Sequence, residues 1–163
     1  MANVTVRKAT TEDARGLAEV HIRTWRISYA GLLPQATLDR LDVDGRTRSW
    51  RRILASRGNP TWAAADGERI VGFSSSGGAR DARPPARLEL YSLYVDPDRH
   101  GSGVAGLLLD AAIGDDPAYL WVLTGNARAI RFYEKQGFEL DGSAKDAVAA
   151  DGTPLHELRM TRA

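Results

Sequence analysis

The hydrophobic and polar positions of the chain repeat with two spacings, one typical of strands and one typical of helices. Residues 4–9 alternate apolar and polar side chains, which predicts a half-buried strand. A helix is predicted over residues 11–28, because apolar residues recur there every three or four positions. Residues 34–41 are predicted as a short helical segment, and the apolar stripe of residues 44–56 predicts a third helix.

The second half of the chain is predicted to supply most of the strands. Apolar and aromatic runs place them at residues 61–65, 69–76, 88–95, 118–124, 138–147 and 155–161. A helix at 103–113 connects strand 88–95 to strand 118–124, so these two should pair in parallel through a right-handed crossover. A last helix is predicted at 126–136. The expected fold class is α/β (α+β), a single domain over residues 1–163 with a mixed, mostly antiparallel central sheet and helices on both faces.

Length and composition exclude several classes of function. The 163 residues suffice for one domain with a real core. Apolar residues make up 43% of the chain and the net charge is +1, which gives no global preference for nucleic acid or a membrane. The chain has no cysteine, so disulfides and thiol catalysis are excluded, and its three histidines are too scattered to predict a metal site. No apolar run reaches the roughly 18 residues of a membrane span, and the first residues lack the apolar segment of a signal peptide. We therefore expect a cytoplasmic protein.

One stretch is strongly basic. In and just after the helix predicted at 44–56, arginine occupies five positions: Arg46, Arg48, Arg51, Arg52 and Arg57. Such a stretch could bind RNA or an acidic substrate. A solvated helix face beside Asp42 and Asp44 is the simpler interpretation, and we predict no nucleic-acid partner.

A glycine-rich segment stands between the strand at 88–95 and the helix that follows it. Residues 101–106 read Gly-Ser-Gly-Val-Ala-Gly. Glycine lets the backbone approach a ligand closely, and the first turn of a helix offers free N–H groups and the positive end of the helix dipole. The segment therefore predicts an anion site, most naturally one for phosphate.

Two phosphate-binding motifs fit this segment poorly. A P-loop requires Gly-Lys-Ser/Thr at its end, and residues 101–106 contain no lysine. Gly101, Gly103 and Gly106 have the spacing of the dinucleotide motif, but the first glycine of that motif should directly follow the strand. Here five residues separate Val95 from Gly101, and the next strand does not end in the acidic residue that the motif needs.

Two segments resemble the GNAT superfamily of acyl-CoA-dependent N-acyltransferases. Val95-Asp-Pro97 followed by His100-x-x-Gly103-x-Ala105 is similar to the pyrophosphate loop of that superfamily, with His100 in place of the usual Gln or Arg. Residues 126–138 resemble its Asn-x-x-Ala-x-x-Phe-Tyr-x-x-x-Gly-Phe element. The two segments stand in the expected order, and the resemblance implies the GNAT fold across the whole chain.

The resemblance also implies a reaction and a donor. An acetyl group would pass from acetyl-CoA to a primary amine by direct attack in a ternary complex, with no metal and no covalent enzyme intermediate. The implied cofactor site comprises Leu93, Tyr94, Val95, His100, Gly101, Ser102, Gly103, Val104, Ala105, Gly106, Asn126 and Tyr133. The alternative is a non-catalytic module of the same fold that binds acyl-CoA as a sensor.

Two side chains are implied as proton-transfer groups. An aliphatic amine has a pKa of about 10 and must lose a proton before it attacks. Glu89 is similar in position to the strand glutamate that acts as general base in lysine acetyltransferases of the superfamily; alternatively it faces solvent or pairs with Arg87 or another arginine. Tyr133 resembles the tyrosine that protonates the leaving thiolate, although a core aromatic residue would also suit a buried helix face. A backbone N–H near Tyr94 or Val95 would stabilise the oxyanion.

The acceptor side is only sparsely defined. The resemblance implies that the first two helices and the last strands form its walls. Trp25, Tyr29, Tyr91 and Trp62 are candidates to line it, although each is also a reasonable core residue. In the last strand, His156 and Glu157 are possible acceptor contacts. Small amines, antibiotics, polyamines, peptide N-termini and lysine side chains all stay open as acceptors, and a homodimer is possible because homodimers are frequent in the superfamily.

Overall fold

The computed structural model describes residues 3–56 and 58–163, so Arg57 of the basic stretch lies outside the described residues. In chain order the elements are β1 (Val4–Lys8), α1 (Ala14–Ser28), α2 (Gln35–Asp39), α3 (Val43–Ala55), β2 (Thr61–Asp66), β3 (Arg69–Gly78), β4 (Leu88–Val95), α4 (Val104–Ile113), β5 (Ala118–Leu123), α5 (Ala127–Lys135), β6 (Glu139–Val148) and β7 (Pro154–Arg162). Each helix and strand predicted from the sequence is present, with ends that differ by a few residues.

The strands of the described chain form one seven-stranded sheet in the order β1-β2-β3-β4-β5-β7-β6. Neighbouring strands are antiparallel except β4 and β5, which are parallel because α4 carries the chain from the end of one to the start of the other. The fold-class prediction is therefore confirmed. Within the described residues, no helix combines the length and the apolar character needed to cross a membrane.

Helices cover both faces of the sheet, because successive residues of a strand point to opposite sides. Ala63 and Ala65 of β2 pack together with Phe73 against α1 and α3. Ala64, between them, packs on the opposite face against Leu108 of α4. Helix α5 shares a core cluster with the end of α4 and therefore lies on the same face as α4.

Three arginines of the basic stretch lie on the outer face of α3. Asp42 caps this helix by accepting two backbone N–H groups. Trp50 faces the core, whereas Arg48, Arg51 and Arg52 are exposed. For these three arginines the geometry agrees with a solvated helix face, the simpler interpretation. Arg46 differs, because it is half-buried and its charge adds to burial in lowering the pKa of His21.

The parallel strands β4 and β5 separate after a short pairing. Their pairing ends at Leu90 opposite Leu120, although both strands continue beyond it. On its other edge β4 stays paired with β3, through a bulge at Tyr91. Among the described residues, β4 from Tyr91 to Val95 therefore has no strand partner on the edge that faces β5. The candidate site lies in the opening that results.

Candidate active site

A cleft of about 460 Å³ occupies the opening between β4 and β5. Its walls come from α1, the two separating strands, the loop before α4, the start of α4, α5 and β7. The cleft passes through the plane of the sheet, so it has an α4 side, formed by the loop, α4 and α5, and an α1 side, formed by α1 and by side chains of β5 and β7 that point the same way.

Glycine conformations shape the α4 side of the cleft. Gly101 and Gly103 have φ values of 78° and 89°, in the left-handed region that other residues avoid. Gly103 caps α4, so the first free N–H groups of this helix lie beside the cleft. A Cβ atom at Gly101, Gly103 or Gly106 would meet no other atom within 4 Å. The segment is therefore an open cradle lined by backbone, which suits an anion.

Most of the residues predicted to bind the cofactor line this cleft: Leu93, Tyr94, Val95, His100, Gly101, Gly103, Ala105, Gly106, Asn126 and Tyr133. Two side chains do not. The hydroxyl of Ser102 donates to the carbonyl of Arg99 at 2.5 Å, and Val104 packs in the core beside Val71 and Leu108. For Ser102 and Val104, the prediction of cofactor binding now concerns the backbone alone.

His100 and Arg128 form a polar pair beside the cradle. The Nε2 atom of His100 lies 3.0 Å from the carbonyl oxygen of Val95, and its Nδ1 atom contacts the Arg128 guanidinium. Burial and the charge of Arg128 lower the pKa of His100 below its ordinary value. A neutral ring satisfies both contacts, with Nε2–H donating and Nδ1 accepting. Arg128 was not predicted from the sequence, although it stands inside segment 126–138 and lines the cleft.

Tyr133 reaches the cleft from α5. Its ring packs between Phe132 and Phe138, at centroid distances of 5.2 and 5.8 Å. Burial raises the pKa of the hydroxyl well above its ordinary range, so the phenol keeps its proton. Asn126 caps the same helix by accepting the N–H of Ala129 at 3.3 Å. A protonated hydroxyl is thus held in the cleft wall, and its role as the acid stays a prediction.

Glu89 is not among the residues that line the cleft. Its carboxylate is buried, with Oε1 2.7 Å from Nη2 of Arg80 and Oε2 accepting the Tyr119 hydroxyl at 2.9 Å. Burial acts to raise the pKa of this carboxyl, but the hydrogen bonds from Arg80 and Tyr119 outweigh burial and hold the pKa below its ordinary value. A carboxylate stabilised in its charged form is a weak base. The geometry matches the ion-pair alternative, with Arg80 in place of Arg87, and a catalytic role for Glu89 stays a prediction.

Three of the four aromatic candidates for the acceptor site, Trp25, Tyr29 and Tyr91, line the cleft. The rings of Trp25 and Tyr29 lie 5.0 Å apart on α1. Tyr91 lies under the Arg80 guanidinium, 4.0 Å from its ring centroid. Trp62 is not among the lining residues, because it packs in the core cluster beneath α4. Contact between the three lining aromatics and an acceptor stays a prediction.

Strand alternation adds Trp121 and Glu157 to the α1 side of the cleft. Val122 of β5 and Leu158 of β7 pack in the core beneath α5, so their neighbours Trp121 and Glu157 point to the opposite face. Both residues line the cleft. Trp121 was not predicted from the sequence, and Glu157 was predicted only as a possible acceptor contact. The alternation of β5 and β7 was a usable signal, but only once the faces of both strands were known.

Comparisons with known proteins agree with this geometry. Residues 57–140 match the family model described as an acetyltransferase (GNAT) domain. The chain is 30% identical to "Probable N-acetyltransferase Rv2775" of Mycobacterium tuberculosis, over 86% of this chain and 83% of the relative. It is also 30% identical to "Uncharacterized N-acetyltransferase YuaI" of Bacillus subtilis, over 95% of this chain and 90% of that protein. The solved structure of PaiA N-acetyltransferase from Thermoplasma acidophilum in complex with coenzyme A has a TM-score of 0.64 at 19% identity, over 95% of this chain and 98% of that one.

The chain belongs to the GNAT family of acetyltransferases. The matched region contains the loop before α4 and segment 126–138, the two segments on which the resemblance was based. The prediction of an acetyl-CoA-dependent N-acetyltransferase is confirmed at the level of the family, and the sensor alternative is not favoured.

Proposed function

We propose that the chain moves the acetyl group of acetyl-CoA directly to a primary amine while both substrates occupy the cleft. The observation that carries this proposal is the single cleft between β4 and β5, which joins an anion cradle on its α4 side to an aromatic and acidic wall on its α1 side. The phosphates of acetyl-CoA would lie at residues 101–106, and the amine would enter from the α1 side. The chain has no cysteine, so direct transfer is favoured over a thioester intermediate on the enzyme.

The extended arm of acetyl-CoA would run along β4. In the described structure the edge of β4 that faces β5 has no strand partner beyond Leu90. Its N–H and C=O groups can therefore pair with the amides of the arm, as they would with an added strand. A backbone N–H near Tyr94 or Val95 would then lie close to the thioester and stabilise the oxyanion.

Tyr133 would act as the acid of the reaction. Attack of the amine nitrogen on the thioester carbonyl gives a tetrahedral intermediate, whose collapse breaks the C–S bond and expels a thiolate of parent pKa about 8.5, by analogy with cysteine. The buried phenol of Tyr133 retains the proton that this sulfur needs. The nitrogen, on becoming an amide, would return a proton to the tyrosine.

The experiment is CoA release from acetyl-CoA in the presence of a broad amine panel, with the product identified by mass spectrometry. The panel contains small amines, polyamines, peptides with a free N-terminus and lysine peptides. We expect amine-dependent CoA release, with one acetylated amine formed for each CoA. Tight acetyl-CoA binding without transfer to any member of the panel would support the sensor alternative instead.

A further inference from the structure

The charges of the cleft are separated between its two sides. The cation Arg128 stands on the α4 side, beside the glycine cradle. Among the described residues that line the cleft, Glu157 is the only Asp or Glu, and it belongs to the α1 side. A donor that carries phosphates and an acceptor that carries an ammonium group would require this separation. The position of Glu157 therefore suits the acceptor.

Glu157 is only loosely paired and is accessible to an incoming cation. Its side chain is 23% exposed, and its ion-pair partner among the described residues, the Nζ atom of Lys145, stays 3.8 Å from Oε2. This pair is loose, and the lysine is itself 40% exposed. By contrast, Glu89 is held by Arg80 and Tyr119 at distances below 3 Å. Lys145 also lies over the Trp121 ring, 4.2 Å from its centroid. An incoming ammonium group would replace Lys145 at Glu157, where the pair is loose, and Lys145 can keep its contact with Trp121.

The surroundings of Glu157 favour a carboxylate that accepts a proton. Burial raises the pKa of the Glu157 carboxyl, and the charge of Glu89 raises it further. The charges of Lys145 on β6 and Arg80 in the loop before β4 lower this pKa but do not outweigh burial. Burial also raises the pKa of Tyr29 and of Tyr94, and the nearby charge of Glu157 raises both further. These two hydroxyls therefore stay neutral and do not compete with Glu157 for an ammonium group.

The walls around Glu157 indicate what else the acceptor carries. Trp25, Tyr29 and Trp121 line the cleft beside it and present apolar surface. Two arginines near this wall are already paired in the described structure: Arg80 with Glu89, and Arg159 with Asp81 and Asp141. The charge of a third, Arg46 of α3, acts on His21 and Tyr94 but is not among the charges that act on Glu157. An acceptor carboxylate next to the amino group would thus meet Glu157 with no unpaired arginine, among the described residues, whose charge acts at Glu157 to offset the repulsion.

We infer that Glu157 binds the ammonium group of the acceptor and takes its proton, and that the acceptor is a primary amine with an apolar body and no carboxylate beside the amino group. This inference rests on the proposed function and assigns the base within it. The ammonium group gives one proton to the Glu157 carboxylate, and the freed lone pair forms the C–N bond. Glu157 then releases its proton to water, so that each turnover yields the amide, CoA and one proton.

The test compares Glu157→Gln with Glu139→Gln, a matched change at an exposed glutamate on β6 outside the cleft. The probes are 2-phenylethylamine and L-phenylalanine, which differ only by a carboxylate. In Glu157→Gln we expect kcat with 2-phenylethylamine to fall by about 10²-fold or more, with the KM for acetyl-CoA unchanged. The loss should shrink as pH approaches the amine pKa of about 10. The control variant Glu139→Gln should keep parental rates.

The parent enzyme should also prefer 2-phenylethylamine to L-phenylalanine. We expect kcat/KM to differ by at least about tenfold, which corresponds to about 1.4 kcal/mol.

Two further measurements separate a catalytic role from a structural one. Glu157→Asp keeps the charge and should recover part of the rate and the parental form of the pH profile. Calorimetric titration of 2-phenylethylamine into the CoA-bound enzyme should show binding that Glu157→Gln loses. Binding of this kind without any acetyl transfer by the parent would overturn the proposed function and still support the amine site. Parental rates in Glu157→Gln at all pH values, or preference of the parent for L-phenylalanine, would overturn the inference about Glu157.

Discussion

The two sides of the cleft are built in different ways. The anion cradle of the α4 side is one continuous stretch of chain, from Val95 to Gly106, and its main feature is backbone geometry at glycine residues. The α1 side is assembled from side chains of α1, β5 and β7, which are far apart in sequence. A backbone cradle holds a constant group such as a pyrophosphate, whereas separate side chains can vary with the acceptor. If the ligands bind as proposed, the phosphate site of the donor depends on neighbouring residues, whereas the acceptor site depends on tertiary structure.

The largest effect, a loss of acetyl-CoA affinity, is expected when a side chain blocks the anion cradle without straining its backbone. Gly106 lies in α4, lines the cleft and has open space around its Cα. Unlike Gly101 and Gly103, it does not have a positive φ, so a side chain is tolerated there by the backbone. Gly106→Glu places bulk and negative charge against the phosphates and should weaken acetyl-CoA binding by at least about 100-fold, or about 2.7 kcal/mol, in calorimetric titration.

The matched control for this variant is Leu107→Glu. Leu107 is the next residue of the same helix, is 50% exposed and does not line the cleft. It should bind acetyl-CoA with parental affinity. Parental affinity in Gly106→Glu as well would mean that the phosphates bind elsewhere and that the α4 side is not the donor side.

The next largest effect, a loss of kcat, is expected when Tyr133, the proposed acid, is changed. Tyr133→Phe removes the hydroxyl and keeps the packing against Phe132 and Phe138. We expect kcat to fall by about 10²-fold, with little change in acetyl-CoA affinity, because the ring does not contact the phosphates. Raising the pH should not restore the rate, since high pH supplies free amine but no proton for sulfur. A pH–rate profile equal to that of the parent would remove Tyr133 from the mechanism.

The sequence predicts the fold and the α4 side well for the same physical reason. Strand and helix periodicity, glycine spacing and helix capping are properties of neighbouring residues, and they identify residues 95–106 and 126–138 directly. Glu89 shows where such reasoning stops. Its strand was predicted, but its partner Arg80 comes from a loop and Tyr119 from another strand. Glu157 became prominent only when the faces of β5 and β7 were known, because register between strands is set by tertiary packing.

The smallest effect on turnover is expected at Glu89, whose buried carboxylate is proposed to stabilise the fold and not to take part in the reaction. Glu89→Gln should leave kcat within a few-fold of the parent and lower the free energy of unfolding at pH 7 by about 1–3 kcal/mol, because buried hydrogen bonds to a charged group are lost. The folded pKa of Glu89 is held below its ordinary value. Its stabilising contribution is therefore complete above the unfolded pKa of about 4.3 and is lost as pH falls through the lower folded value.

Urea unfolding at pH 7 and again below pH 4 measures this contribution. The gap in unfolding free energy between the parent and Glu89→Gln should narrow at the acid end of that range. A loss of kcat by 10²-fold that high pH reverses would return the role of base to Glu89 and would contradict the assignment of Glu157.

The most direct test of the account is the initial-rate pattern with both substrates varied. The central claim is that acetyl-CoA and the amine occupy one cleft together, with the donor on the α4 side and the acceptor on the α1 side. Direct transfer in such a complex predicts double-reciprocal plots that intersect, with no CoA released before the amine is added. Parallel lines, together with a burst of CoA from the enzyme and acetyl-CoA alone, would indicate an acetylated enzyme and would contradict the account.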